Sequence, residues 1–290
     1  MKKKIMILGS GGLIGHQILM YLSTFNEFKI INVSHTKKVN SSTILFDLSK
    51  FENIEFLLMK YKPNFIINCV GILIENSELM PISAIALNAY LPHFLRNIAD
   101  KIKSKIIHIS TDCVFSGLNG NYSETDVKDG ISIYSKTKSL GEIINSKHLT
   151  LRTSVVGPEL TSQGSELFNW FMNQNNSIYG YKLSIWSGIS TIELAKAVKI
   201  SIERNITGLH HLTNGEKINK YELLKLFNKY RGDRLKIIPV NGYRTDKSLI
   251  DNRRLLKYKF PSYEIMVKEI FETINNKPNI YPHYINKIKI

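Results

Sequence analysis

Tyr134 and Lys138 stand four residues apart in the run Tyr134-Ser-Lys-Thr-Lys138. On a helix that spacing puts a phenol and an ammonium on one face, a pairing suited to proton donation. A free phenol, with a pKa of about 10, is too weak an acid near neutral pH until a nearby cation stabilises its phenolate. Lys138 can supply that cation, and can also hold a cofactor's ribose so that a hydride is aimed. Thr111, in Ser110-Thr111-Asp112 at the end of an apolar run, can hydrogen-bond a carbonyl oxygen and help polarise it. In a chain with 14 tyrosines, such a pair alone is most often surface decoration. It gains meaning from a second pattern upstream.

That pattern is Gly9-x-x-Gly12-x-x-Gly15, which follows a short apolar run and opens a helical one. The first glycine permits a tight turn, the second lets the backbone approach a pyrophosphate, and the third lets helix and strand pack closely. Backbone N–H groups at the opening turn, at Leu13 and Ile14, then face the phosphates. The acidic residue that would bind an adenosine 2′-hydroxyl is missing after the second strand, where Ser34, His35, Lys37 and Lys38 stand instead. Hydroxyl and lysines favour a 2′-phosphate, so NADPH is expected over NADH. Asp47, with Leu48 after it, ends the third predicted strand, where a carboxylate can accept from the adenine amino group. Val70 and Gly71 end the fourth, where small residues let the ribose pass.

These residues need a scaffold, and the apolar periodicity describes one. Short β-rich runs at 4–8, 28–33, 43–46, 65–68, 105–109 and 149–153 alternate with helical patterns at 13–25, 51–61, 82–102 and 134–145. Such alternation implies a doubly wound parallel sheet, an α/β Rossmann domain over residues 1–155. A smaller α/β substrate-binding domain is expected over 156–276, with part of 188–215 packing back onto the first. Residues 277–290, with two prolines and many polar residues, read as a loosely held tail. The net charge of +15 comes mostly from lysines scattered through the chain, without the aromatic-basic stripe that stacks bases, so no nucleic-acid partner is expected. No apolar run approaches the roughly 20 residues of a membrane span, and glycines interrupt the N-terminal apolar segment, which argues against a secretory signal. A cytoplasmic protein is expected. Cys69 and Cys113 have no metal-ligand spacing, and no metal is expected.

The chain resembles the extended short-chain dehydrogenase/reductases, and among them the dTDP-4-dehydrorhamnose reductases and their nucleotide-sugar relatives. The segments that carry the resemblance are Gly9 to Gly15, Ile67-Asn-Cys-Val-Gly71, Leu87-Asn88, Ile107 to Gly117, Tyr122-Ser-Glu124, Tyr134 to Glu142 and Leu151-Arg-Thr-Ser154. The resemblance is patchier beyond Ser154. It implies a Thr111, Tyr134 and Lys138 catalytic set that reduces C4 of a 4-keto-6-deoxy nucleotide sugar, dTDP- or UDP-linked. It also allows a homodimer. Asp112 and Cys113 would border the substrate. Cys113 replaces an aromatic residue usual in the family and Val155 replaces a tryptophan, changes that would open the sugar pocket; Trp186 offers replacement stacking or a domain-core role. The absence of an Asp-Glu pair after Thr111 argues against 4,6-dehydration. Two alternatives share the scaffold: an epimerase retaining NAD, and a non-catalytic dinucleotide-binding regulatory subunit such as the β subunit of methionine adenosyltransferase.

Overall fold

The computed structural model describes residues 2–252 and 257–288. Its first half alternates strands and helices: β1 Lys3–Leu8, α1 Leu13–Leu22, β2 Phe28–Ser34, β3 Ile44–Leu45, α2 Phe51–Tyr61, β4 Phe65–Asn68, α3 Ile74–Leu79, α4 Pro81–Ala84, α5 Leu91–Lys101, β5 Lys105–Thr111, α6 Ile133–Leu140 and β6 Leu149–Thr153. The second half adds β7 Val155–Val156, α7 Leu167–Met172, β8 Ile178–Tyr181, β9 Ser184–Trp186, β10 Ile189–Ser190, α8 Thr191–Glu203, β11 Gly208–His211, β12 Ile218–Asn219, α9 Lys220–Arg231, β13 Ile237–Val240, β14 Thr245–Asp246, α10 Tyr263–Asn276 and α11 Pro282–Ile285.

Seven strands form one parallel sheet in the order β11-β6-β5-β4-β1-β2-β3. The order reverses direction between β1 and β4, and the crevice at that reversal is where doubly wound sheets bind ligands. Central strands are buried on both faces: Ile5, Met6, Ile7 and Leu8 of β1 are fully covered. One core packs α1 and α8 against the sheet through Ile5, Ile7, Ile18, Leu194 and Val198. The opposite face packs α2 and α5 through Met6, Leu8, Ile54, Leu58 and Leu95. A further core, built on Phe168, Phe171, Phe227, Val267 and Phe271, joins α7, α9 and α10.

Three local readings are corrected. The helix expected over 82–102 is interrupted by a π-helical turn, Ile85–Tyr90. Pro92 lacks the N–H that would reach the Asn88 carbonyl, and that carbonyl packs on Gly141, where any Cβ would overlap it. The helix expected over 134–145 stops at Leu140, capped by Gly141. Residues 277–288 are packed rather than loose: Tyr281 and Tyr284 are both 0% exposed and lie in the α7–α9–α10 core. Aromatic anchors outweigh the polar composition of that segment.

Candidate active site

The glycine turn sits at the C-terminal end of β1. Gly9 has φ of 82° and accepts a hydrogen bond from Gly12 N at 3.0 Å, a turn that disfavours any side chain at Gly9. A Cβ on Gly15 would overlap the Gly9 carbonyl, and one on Gly11 would lie 2.6 Å from Ser34 Oγ. The loop therefore lies flat against β1 and β2, with exposed Gly12 as the N-cap of α1 and no side chain capping its N–H groups. Those free N–H groups and the helix dipole form a cradle for an anionic diphosphate, so the residues present fit a dinucleotide. Ser34 is buried beside Gly11, whereas His35 and Lys37 are exposed on the adjoining loop. Asp47 Oδ1 accepts from Ser49 N at 2.9 Å and Ser49 Oγ at 2.7 Å, and His35 Nε2 lies 3.7 Å from it. The Leu48 side chain is buried in the sheet core and can offer a ligand only its backbone. Val70 is half-buried and Gly71 exposed, next to the crevice after β4.

The catalytic candidates converge two strands away. Thr111 ends β5, its hydroxyl accepting from Cys113 N at 3.1 Å and donating to Asp112 Oδ1 at 3.2 Å. Tyr134, at the start of α6, brings its phenol close enough to the Thr111 hydroxyl for the two to interact. Burial pushes that phenol above its ordinary pKa, Cys113 adding to the rise and the nearby Thr111 hydroxyl opposing it; near neutral pH it is a protonated donor. One turn along, buried Lys138 donates to the Ile109 carbonyl at 2.8 Å. Burial lowers its pKa to about 8 against the pull of the Glu142 carboxylate.

Alpha-helix α6 is only one short element, and the sequence supplies its anchors. Ser132 Oγ caps it by accepting from Ser135 N at 3.1 Å, as serine does at an N-cap. Glu78 Oε1 accepts from Ile133 N at 2.9 Å, and Asn88 Nδ2 donates to Thr137 Oγ1 at 3.2 Å. Beyond the helix, Glu142 receives Arg152 Nε at 2.8 Å and Nη2 at 2.7 Å, Ser110 Oγ at 2.8 Å and Lys128 Nζ at 3.0 Å.

Toward the second core, the one around Phe168 and Phe227, the cleft is lined by residues that no sequence pattern had marked. Lys247 Nζ donates to Cys113 Sγ at 3.5 Å. Burial lowers the Lys220 ammonium, with the Asp112 carboxylate opposing, and Glu166 lies close enough to interact with it. Asp112 is raised by burial and drawn back by Lys247 and Lys220. Neither thiol is activated: burial raises Cys113 to about 11 and Cys69 to about 12. These lysines and Glu166 lie far along the chain from Thr111, in a sequence where lysine is common, so only the fold reveals their grouping. Val155 pairs with Ile189 and packs half-buried on the α1–α8 core. Trp186 is 3% exposed and belongs to the second core, with Lys220 Nζ 5.3 Å from its ring centre. Of the two roles the sequence leaves open, this packing is that of a domain-core tryptophan, its ring against Tyr263 and beneath Lys220.

A doubly wound parallel sheet, a glycine-turn cradle and a Thr-Tyr-Lys set at the C-terminal strand ends define the short-chain dehydrogenase/reductase class. Residues 2–257 match the family described as RmlD substrate binding domain, and the chain belongs to that family. It is 25% identical over 234 residues to dTDP-4-dehydrorhamnose reductase of Aggregatibacter actinomycetemcomitans, covering 76% of each chain. It is likewise 25% identical over 243 residues to methionine adenosyltransferase 2 subunit beta of Mus musculus, covering 76% of this chain and 70% of that one. The fold superimposes with a TM-score of 0.82 on dTDP-4-dehydrorhamnose reductase of Bacillus anthracis, solved in complex with NADP, at 21% identity over 94% of this chain and 100% of that one. Among the described residues, no helix is long and apolar enough to cross a membrane.

Proposed function

We propose that this chain is an NADPH-dependent reductase of a 4-keto-6-deoxy nucleotide sugar, dTDP- or UDP-linked, acting in deoxysugar synthesis in the cytoplasm. The observation that carries the reading is the convergence of Thr111 at the end of β5, Tyr134 at the start of α6 and the buried Lys138 held on the Ile109 carbonyl, at the strand ends that also hold the glycine cradle. Bound NADPH would supply the hydride. The glycine turn and the free N–H groups of α1 would hold its diphosphate, and Ser34, His35, Lys37 and Lys38 would surround its 2′-phosphate. Tyr134 would donate its proton to the sugar carbonyl oxygen as that oxygen gains charge, with Thr111 donating a second hydrogen bond to it. Lys138, fixed by Ile109, lowers the cost of the resulting phenolate. Asp112, Cys113, Lys220 and Lys247 would contact the substrate's sugar end.

The test follows the absorbance of reduced nicotinamide with a panel of dTDP- and UDP-linked 4-keto-6-deoxy sugars made in situ by 4,6-dehydratases. NADPH loss with one of them supports the reading and names the carrier. In that assay Tyr134→Phe should abolish turnover while leaving NADPH affinity within a few fold. Binding of NADPH without oxidation across the panel would sink the reductase reading in favour of an epimerase or a binding-only subunit.

A further inference from the structure

Residues 277–288 pack on the second core, and Tyr281 within them reaches across to the first turns of α1. Tyr281, fully buried, is 2.9 Å from His16 Nε2 and 2.6 Å from Gln17 Nε2. Its ring meets the His16 ring edge-on at 5.9 Å. On the other side of the imidazole, His16 Nδ1 lies 2.8 Å from the Gly12 carbonyl. The chemistry of these atoms fixes every proton. Gly12 O can only accept, so Nδ1 carries the hydrogen; burial lowers the His16 pKa to about 4, so the ring is neutral and Nε2 accepts. Tyr281 therefore donates to Nε2, and its free lone pair accepts from the Gln17 amide. All the buried polar atoms in this relay are satisfied.

We propose that Tyr281, acting through His16, is a positioning residue for the cofactor's diphosphate. Gly12 C=O and Leu13 N–H belong to one planar peptide. Holding the carbonyl with an imidazole fixes the direction of the Leu13 N–H, a donor at the open N-terminus of α1. The same carbonyl also accepts the helical bond from His16 N at 3.1 Å, so the side chain adds a second restraint to one group. Ser10 Oγ ties the start of the turn to the Val33 carbonyl at 3.1 Å, and the further restraint at Gly12 arrives from a segment more than 260 residues away. Tyr284, three residues on, belongs to the same segment but acts elsewhere: it donates to Asn169 Oδ1 at 2.6 Å and accepts from Glu159 N at 3.1 Å.

This inference rests on the cofactor reading above, so NADPH binding to the unmodified chain is measured first, by fluorescence enhancement of the reduced nicotinamide. No binding there would overturn the cofactor reading itself. Given binding, Tyr281→Phe should raise the NADPH Kd by about tenfold, the effect of one lost buried hydrogen bond, with kcat at saturating NADPH within about twofold. Tyr284→Phe, which also removes a buried hydroxyl from the segment, should leave that Kd within about twofold. His16→Phe keeps a ring in place while removing both nitrogens; it should raise the Kd at least as much as Tyr281→Phe, and the double variant no further. A Tyr281→Phe Kd indistinguishable from that of the unmodified chain, or an equal rise in Tyr284→Phe, overturns the proposal. Should Tyr281→Phe fail to fold, His16→Phe decides alone: an unchanged Kd overturns the proposal and a raised one supports it.

Discussion

Replacing Glu142 with glutamine tests the ionic cluster behind α6. Arg152 is 1% exposed, and both nitrogens that reach Glu142 do so within 2.8 Å. Its remaining Nη1 meets His211 Nε2 at 2.8 Å, a neutral acceptor because burial and the neighbouring guanidinium lower that histidine to about 3. Glutamine keeps one acceptor oxygen but no charge, leaving a covered guanidinium without a counter-ion. Removing one member of a buried pair costs about 3–5 kcal/mol, and the retained oxygen argues for the lower figure. At about 2.1 cal/mol/K per residue over 290 residues, the unfolding entropy is about 0.6 kcal/mol/K. Glu142→Gln should thus lower Tm by about 5 °C at neutral pH, read by far-UV circular dichroism. Adding Arg152→Met should recover part of the loss, because the orphaned charge goes with it. Acid should close the gap. Burial alone would raise the Glu142 carboxyl, but the Arg152 hydrogen bond and charge hold it below its ordinary value near 4.5. Its contribution is therefore full above the unfolded pKa and lost as pH falls through the lower folded one. A Tm drop below about 1 °C at neutral pH, or a gap that widens in acid, would refute this account.

Activity should fall on the alkaline side of about pH 8, as Lys138, lowered by burial, loses its proton; a kcat/KM profile flat to about pH 10 would remove Lys138 as the required cation. Alanine at both Lys37 and Lys38 should raise the apparent KM for NADPH more than for NADH, whereas an equal effect would take both lysines out of 2′-phosphate recognition. His16 and His211 are held neutral by burial, at about 4 and about 3 against 6.5 unfolded. The unfolded chain thus binds more protons below pH 6.5, and urea midpoints should decline from there toward pH 4; a midpoint constant over that span would contradict the burial of these rings.

The parallel sheet was legible because its strands are buried on both faces and read as unbroken apolar runs, as in Ile5 to Leu8 and Phe65 to Ile67. The glycine turn was legible because its spacing reflects local geometry between β1 and α1. What stayed hidden depends on contacts between distant segments. Trp186 has the same residue type whether it faces a sugar or a core, and only packing on Tyr263 and Lys220 tells the two apart. Lys220 and Lys247 looked like two more solvated lysines until the fold brought them to Asp112 and Cys113. Residues 277–288 were misread because composition weighs prolines and polar groups, while Tyr281 and Tyr284 make the contacts that hold them.

Helix α6 shows why such long-range contacts matter to the candidate site. α6 has 8 residues, well short of the roughly 12–15 at which an isolated helix becomes even marginal in water. Its first turn must nevertheless hold Tyr134 against Thr111, and its last must hold Lys138 against Ile109. Local propensity cannot do this, so each turn is tied from outside: Glu78 and Ser132 at the start, Asn88 through Thr137 in the middle, and Glu142 with Arg152 just past the end. The π-helical turn that carries Asn88 is part of the same construction, since it brings the Asn88 carbonyl onto Gly141 and its amide onto Thr137. A side chain at Gly141 would push those two elements apart. The Tyr134–Lys138 spacing therefore becomes a defined geometry only because α3, the π-helical turn and β6 hold a helix too short to hold itself.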